Sequence, residues 1–223
     1  PIEDSDRVSL HLLTLKTVFL VLLASGCRRG EIHALDFKKE EHDPKWKWVK
    51  LRPKVGFIPK TMIKTRGASV FKSFTIQALS TILPPDMVRE RAVCPVRALK
   101  AYLSRTKHMR ENKVLLFIST VEGHKQDIHP NTVSGWVRKL ITFAYENAGE
   151  DTASMVNTST HAIRGMAASL AFKGTASLDD VMEACSWRSH STFTSHYLKD
   201  TSGIMDGRFK LGPVVAARSI VNQ

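Results

Sequence analysis

Leu10-His-Leu-Leu-Thr-Leu-Lys-Thr-Val-Phe-Leu-Val-Leu-Leu-Ala-Ser25-Gly-Cys-Arg-Arg-Gly-Glu31 is the stretch on which the reading of the fold turns. From Leu10 to Ala24 it is apolar on nearly every side, the pattern of a helix buried all round rather than one with a single wet face. Ser25-Gly26 ends that helix, because glycine lets the chain turn where other residues are strained. A second helix is expected from about Arg29 through Leu35, which leaves Arg28 at a helix entry. The longest apolar run, Thr17 to Ala24, follows Lys16 and is too short to cross a bilayer. It also lacks the flanks of a signal peptide, so it reads as core.

Downstream the periodicity changes. Trp46, Trp48, Val49 and Leu51 favour strands, with Pro44 and Pro53 as punctuation. Ser69-Val-Phe-Lys-Ser-Phe-Thr75 alternates, and a turn rich in Lys, Thr, Arg and Gly (Lys64 to Gly67) precedes it. A small antiparallel sheet of two or three strands is expected, with Lys60 on or beside a turn. Helical spacing then returns. Cys94 to Leu103 carries Pro95 in its first turn, and Val114 to Ile118 reads as a short extended stretch. A helix from His129-Pro-Asn-Thr132 to about Ala148 presents Val133, Trp136, Val137, Leu140, Ile141 and Ala144. Thr160, Ser177 and Ser191 are expected N-caps of three further helices. These carry His161 and Arg164, Val181 to Cys185, and Phe193 to Tyr197. The fold class is therefore α+β, mainly helical, with a small antiparallel sheet on one side.

The chain has 223 residues, of which 43% are hydrophobic, enough for one large domain with a substantial core. Its formal net charge of +12 points to a polyanionic partner, nucleic acid first. Cys27, Cys94 and Cys185 are odd in number and far apart, which argues against a disulfide framework and a Cys-x-x-Cys zinc site. The chain begins at Pro1 and enters a helical pattern almost at once. It is expected to be a piece of a longer protein, with a domain missing on the N-terminal side.

Cleaving a phosphodiester without a metal needs a nucleophile, positive charge on the non-bridging oxygens, a proton acceptor and a proton donor. No His-Glu-x-x-His and no Gly-x-x-x-x-Gly-Lys motif occurs in the chain. No metal site and no cofactor are expected. Arginine suits the second requirement, because its planar fork grips two phosphate oxygens and stays charged. Arg28 and Arg164 are the candidates, and His161 shares a helix face with Arg164.

Together these segments resemble the catalytic domain of the tyrosine recombinase (phage-integrase-like) family. Its arginine motif matches Ser25-Gly-Cys-Arg28-Arg-Gly-Glu31, and its His-x-x-Arg matches His161-Ala-Ile-Arg164. Its later His or Trp and its nucleophilic Tyr match Trp187 and Tyr197, and its hairpin Lys matches Lys60 in Pro59-Lys-Thr61. The likeness runs over nearly the whole chain. The stretch from Trp187 to Tyr197 is also similar to recombinases of eukaryotic mobile elements, such as DIRS-like retrotransposons. One departure stands out. Much of the family has a His nine residues before the Tyr, whereas here position 188 is Arg and Trp187 lies ten before. His190 is the alternative to Trp187, and Lys54 and Lys64 are alternatives to Lys60.

The resemblance implies an integrase-like catalytic domain over residues 1–200, and a tail over 201–223 that neighbouring protomers exchange. It implies that Tyr197 attacks phosphorus to give a 3′-phosphotyrosine, while Arg28 and Arg164 bind the phosphate. His161 would bond the phosphate or take the tyrosine proton, and Trp187 would donate its indole N–H. Glu31 would orient Arg28 or His161, and Lys60 would protonate the leaving 5′-oxygen. Arg29, Lys64, Arg66, Arg188 and His190 would contact DNA. The implied partners are double-stranded DNA and three further copies of the chain on it, with a monomer in the absence of DNA and no membrane. The implied place is the nucleus in a eukaryote, and the cytoplasm otherwise. Type IB topoisomerases and telomere resolvases share this chemistry. A catalytically silent DNA-binding domain, derived from a transposon, is the rival from another class.

Overall fold

Helix α1 (Leu10–Ser25) runs through the centre of the molecule, and eleven of its residues are buried. The Ser9 hydroxyl accepts from the Leu12 amide at 3.2 Å to begin it, and Gly26 ends it in a left-handed conformation, φ 61°. In this computed structural model the described residues are 8–59, 73–81, 88–121, 123, 126–152, 159–174, 177–185 and 190–196. Around α1 pack α4 (Pro95–Thr106), α5 (Pro130–Ala148) and α6 (Thr160–Gly174). A helix without a polar face needs neighbours on all sides, and these three supply most of them. The short α2 (Arg29–His33) follows α1 and packs on α5, and α3 (Val88–Val93) precedes α4. Two more helices, α7 (Leu178–Ala184) and α8 (His190–His196), complete the described order. No described helix is long and apolar enough to cross a membrane.

The sheet has three antiparallel strands in the order β1 (Glu41–His42), β2 (Trp48–Leu51) and β3 (Phe74–Gln77). Val49 pairs with Ile76 and Leu51 with Phe74, and all four are buried. Trp48, Lys50, Thr75 and Gln77 face away from the core, as the period of two requires. The sequence pattern anticipates β2. Strand β3 overlaps only the end of the strand expected over 69–75, of which 69–72 lie outside the described residues, and β1 is too short and too polar to announce itself. Between β1 and β2 the Asp43 carboxylate holds a turn, accepting from the amides of Lys45 (2.8 Å) and Lys47 (3.2 Å). Trp46 sits in this turn at φ 56°, stacked on His42 at 3.9 Å.

Several boundaries differ from expectation. The N-cap of α6 is Ser159, whose hydroxyl accepts from the Ala162 amide at 3.2 Å, so Thr160 lies inside the first turn. Ser191 lies inside α8 rather than capping it. Ser177 does cap α7, in a reciprocal arrangement with Asp180. Ala144 fits the apolar spacing of α5 yet is exposed, because the far half of that helix extends past its neighbours. The stretch 114–118, expected to be extended, lies outside the three-stranded sheet. It is laid against the exit of α2 by a single bridge, Asp36 to Leu115, and by the Leu116 amide donating to the Leu35 carbonyl at 2.8 Å. The expected hairpin turn with Lys60, Lys64 and Arg66 lies outside the described residues, as does the tail over 201–223.

Buried polar contacts fasten that extended segment to α4. The Tyr102 hydroxyl accepts from the Ile118 amide at 2.9 Å. Arg110 donates to the Leu116 carbonyl and to the Thr106 hydroxyl, both at 3.0 Å, while its guanidinium stacks on Phe37. Burial pushes the Tyr102 phenol up and the Arg110 guanidinium down from their ordinary ranges.

Tyr102→Phe removes the hydroxyl that accepts from the buried Ile118 amide while keeping the ring. It should cost about 1–3 kcal/mol in urea unfolding with an unchanged slope. A loss under about 0.3 kcal/mol would mean that the amide finds another acceptor.

Candidate functional site

Gly26 is where the site begins. Its left-handed backbone turns the chain off α1, and its amide still donates to the Leu22 carbonyl at 2.9 Å. The Ser25 hydroxyl fixes the next step, donating to the Val21 carbonyl (2.7 Å) and accepting from the Cys27 amide (3.2 Å). Cys27 is thereby turned inward, and Arg28 follows in extended backbone as the residue entering α2.

Glu31, on the first turn of α2, reaches back to Arg28 twice. One carboxylate oxygen accepts from the Arg28 amide at 2.6 Å and the other from the guanidinium at 3.0 Å. The backbone contact satisfies one of the unpaired N–H groups at a helix start. The Glu31 side chain is 4% exposed, so its charge is taken out of water and depends on its cationic neighbours. The second of these comes from α6: an Arg164 terminal nitrogen stands 4.0 Å from the Glu31 carboxylate.

Arg164 is 2% exposed. One terminal nitrogen donates to the Gly26 carbonyl at 2.5 Å and the other to the Cys185 carbonyl at the end of α7. Burial pushes its guanidinium below the usual arginine range, and the nearby Arg28 charge acts in the same direction. Cys185, Glu31 and Cys27 oppose the shift. Arginine nevertheless remains charged in proteins at neutral pH.

Among the described residues, two guanidinium groups thus share one carboxylate. The Arg28 side chain is 18% exposed, against 2% for that of Arg164. An anion approaching from solvent therefore meets Arg28 first, with Arg164 as the buried charge behind it. Such an arrangement can hold a phosphate and stabilise charge that builds on it.

The other sequence candidates fall at different places. His161 is exposed on the first turn of α6, on the helix that carries Arg164. Arg29 is exposed at the start of α2. Exposed Lys54 is tied to the end of α2, its amide donating to the Ala34 carbonyl at 2.8 Å. His190 begins α8. Lys60, Lys64, Arg66, Trp187, Arg188 and Tyr197 lie outside the described residues. The backbone carbonyls of Gly26 and Cys185 are members of the cluster that the sequence did not reveal. A carbonyl leaves no mark on residue type, and only the turn-forming role of Gly26 was visible.

The fold is similar to that of a solved XerA recombinase, with a TM-score of 0.54 at 16% sequence identity. The alignment covers 88% of this chain and 58% of that one, so this chain spans less than two thirds of that protein's length. No protein-family model and no curated protein matches the sequence.

Removing Arg164 strips Glu31 of a buried partner and leaves two buried carbonyls without their donor. Arg164→Ala should therefore cost about 3–5 kcal/mol in denaturant unfolding, and Arg164→Lys most of that, since an ammonium cannot span both carbonyls. His161→Ala, at an exposed position on the same helix, should stay within about 0.5 kcal/mol. Equal losses at the two positions would contradict the account of Arg164 as the buried anchor.

Proposed function

We propose that this protein cuts and rejoins DNA strands by transesterification, with Tyr197 as the nucleophile. The observation that carries the reading is the cluster of Arg28, Glu31 and Arg164. Two arginines remote from each other in sequence converge on one buried carboxylate. The fold shared with a recombinase and the formal net charge of +12 support the same reading.

In the proposed step the Tyr197 oxygen attacks the scissile phosphorus, forming a P–O bond as the bond to the 5′-oxygen breaks. A phenol with an ordinary pKa of about 10 needs a proton acceptor, and His161 is assigned that role or a hydrogen bond to the phosphate. Arg28 grips the non-bridging oxygens, and Arg164 adds charge from behind. Trp187 donates its indole N–H to a phosphate oxygen. Lys60 gives a proton to the departing 5′-oxygen. The phosphotyrosine conserves the energy of the phosphodiester, so a 5′-hydroxyl from another strand reverses the step without ATP. On DNA the protein would act with three further copies, exchanging the segment after Tyr197 through the apolar stretch Val214 to Ala217. A place in integration or excision of a mobile element, within a nucleus, is part of the same proposal.

A duplex nicked close to the cleavage site traps the covalent intermediate. The wild type should give a denaturant-resistant protein–DNA adduct, undiminished by EDTA, and Tyr197→Phe should give none. Arg28→Ala should slow adduct formation about a hundredfold or more. An adduct that persists in Tyr197→Phe removes that residue as nucleophile. DNA binding with no adduct from the wild type points instead to a silent DNA-binding domain.

A further inference from the structure

The C-terminal end of α1 and the end of α7 come together at Gly26 and Cys185. A side-chain carbon placed on Gly26 would lie 3.0 Å from the Cys185 sulfur, closer than such atoms ordinarily approach. The space that Gly26 leaves empty is thus the space beside which the Cys185 thiol is seated. The carbonyls of these same two residues hold the two terminal nitrogens of Arg164. Cys185 is 2% exposed, and it belongs to a small core with Ala168, Ala171, Val181, Met182 and Phe193. Its amide donates to the Val181 carbonyl at 3.0 Å, so the last turn of α7 fixes where it stands.

We propose that Gly26 and Cys185 are positioning residues for Arg164, and that their close packing sets the span of its fork. The two carbonyls can both reach one planar guanidinium only within a narrow range of separations, because donors on a rigid fork have fixed directions. Adding bulk on either side of the contact drives the carbonyls apart. Arg164 must then release one of them. The chain that continues from Cys185 reaches Trp187 two residues on and Tyr197 twelve residues on. A shift at Cys185 therefore moves the start of the segment that carries the proposed nucleophile. For its effect on strand cleavage the inference rests on the function proposed above, while the packing claim stands apart from it.

Gly26 carries two separable constraints. Its φ of 61° disfavours any side chain, and the Cys185 sulfur excludes one. Only the second is relieved by trimming Cys185. A double-mutant cycle of Gly26→Ala and Cys185→Ala isolates it.

The cycle is read twice, by urea unfolding and by the rate of adduct formation on the nicked duplex at saturating DNA. Gly26→Ala should slow the adduct about tenfold to a hundredfold while changing the Kd for DNA less than about threefold. Cys185→Ala, which keeps its carbonyl, should have the smaller effect. The double variant should form adduct faster than Gly26→Ala alone and unfold at higher urea than the two single losses predict. Cys185→Leu provides the converse, adding bulk opposite an unstrained glycine, and should slow the adduct as Gly26→Ala does. If the two substitutions add in both readouts, the contact does not position Arg164 and the inference falls. If the wild type forms no adduct but the unfolding cycle shows coupling, the packing stands and the proposed chemistry falls.

Discussion

Arg164 carries a full charge into the interior of the protein, and the surrounding structure is arranged to accommodate it. An unpaired ion removed from water costs several kcal/mol, so its burial demands acceptors of good geometry. Three elements supply them: the turn after α1 through Gly26, the start of α2 through Glu31, and the end of α7 through Cys185. Each acceptor comes from a different part of the chain. Satisfying one guanidinium therefore fixes how the central helix, the arginine-bearing turn and the C-terminal helices stand relative to one another.

Helix α6 makes this possible by facing two cores. Ile163 and Ala167 pack into the large core around α1, whereas Ala168 and Ala171 pack into the small core with Val181, Met182, Cys185 and Phe193. Arg164 leaves the helix near the seam between them. The small core contains few large side chains, and Phe193, edge-on to Phe172 at 5.6 Å, supplies much of its apolar bulk. The polar anchor and the apolar cluster thus hold α7 by different forces, one directional and one set by area. Glu31 performs a comparable double duty on the other side. It caps α2 and balances two arginines with a single carboxylate, which leaves Arg28 oriented and only partly screened.

Much of the architecture is legible in residue order. The all-round apolar α1, the glycine at its end, Pro95 at the start of α4 and the alternation across β2 and β3 each follow from a local rule of period or backbone conformation. Where expectation and structure part, the cause is short-range chemistry at one place and tertiary packing at another. Ser159 and Thr160 are both competent caps, and the choice falls to Ser159 because Thr160 is buried in the first turn. At Ala144 the apolar spacing was present, but burial depends on where neighbouring elements stop.

For the site, the sequence determined the types and order of the residues on which the proposed chemistry rests: Arg28, Glu31, His161, Arg164, Trp187 and Tyr197. It also determined that Arg28 stands at a helix entry, because Gly26 and the polar Arg-Arg-Gly-Glu run mark that boundary. Only the tertiary structure decided that Arg28 stays partly exposed while Arg164 is buried, and that Glu31 pairs with both. Only it placed the carbonyls of Gly26 and Cys185 around one guanidinium. The reason is physical. Local rules act through neighbours along the chain, whereas the burial of a charge and the backbone acceptors it finds are set by elements that meet only after folding.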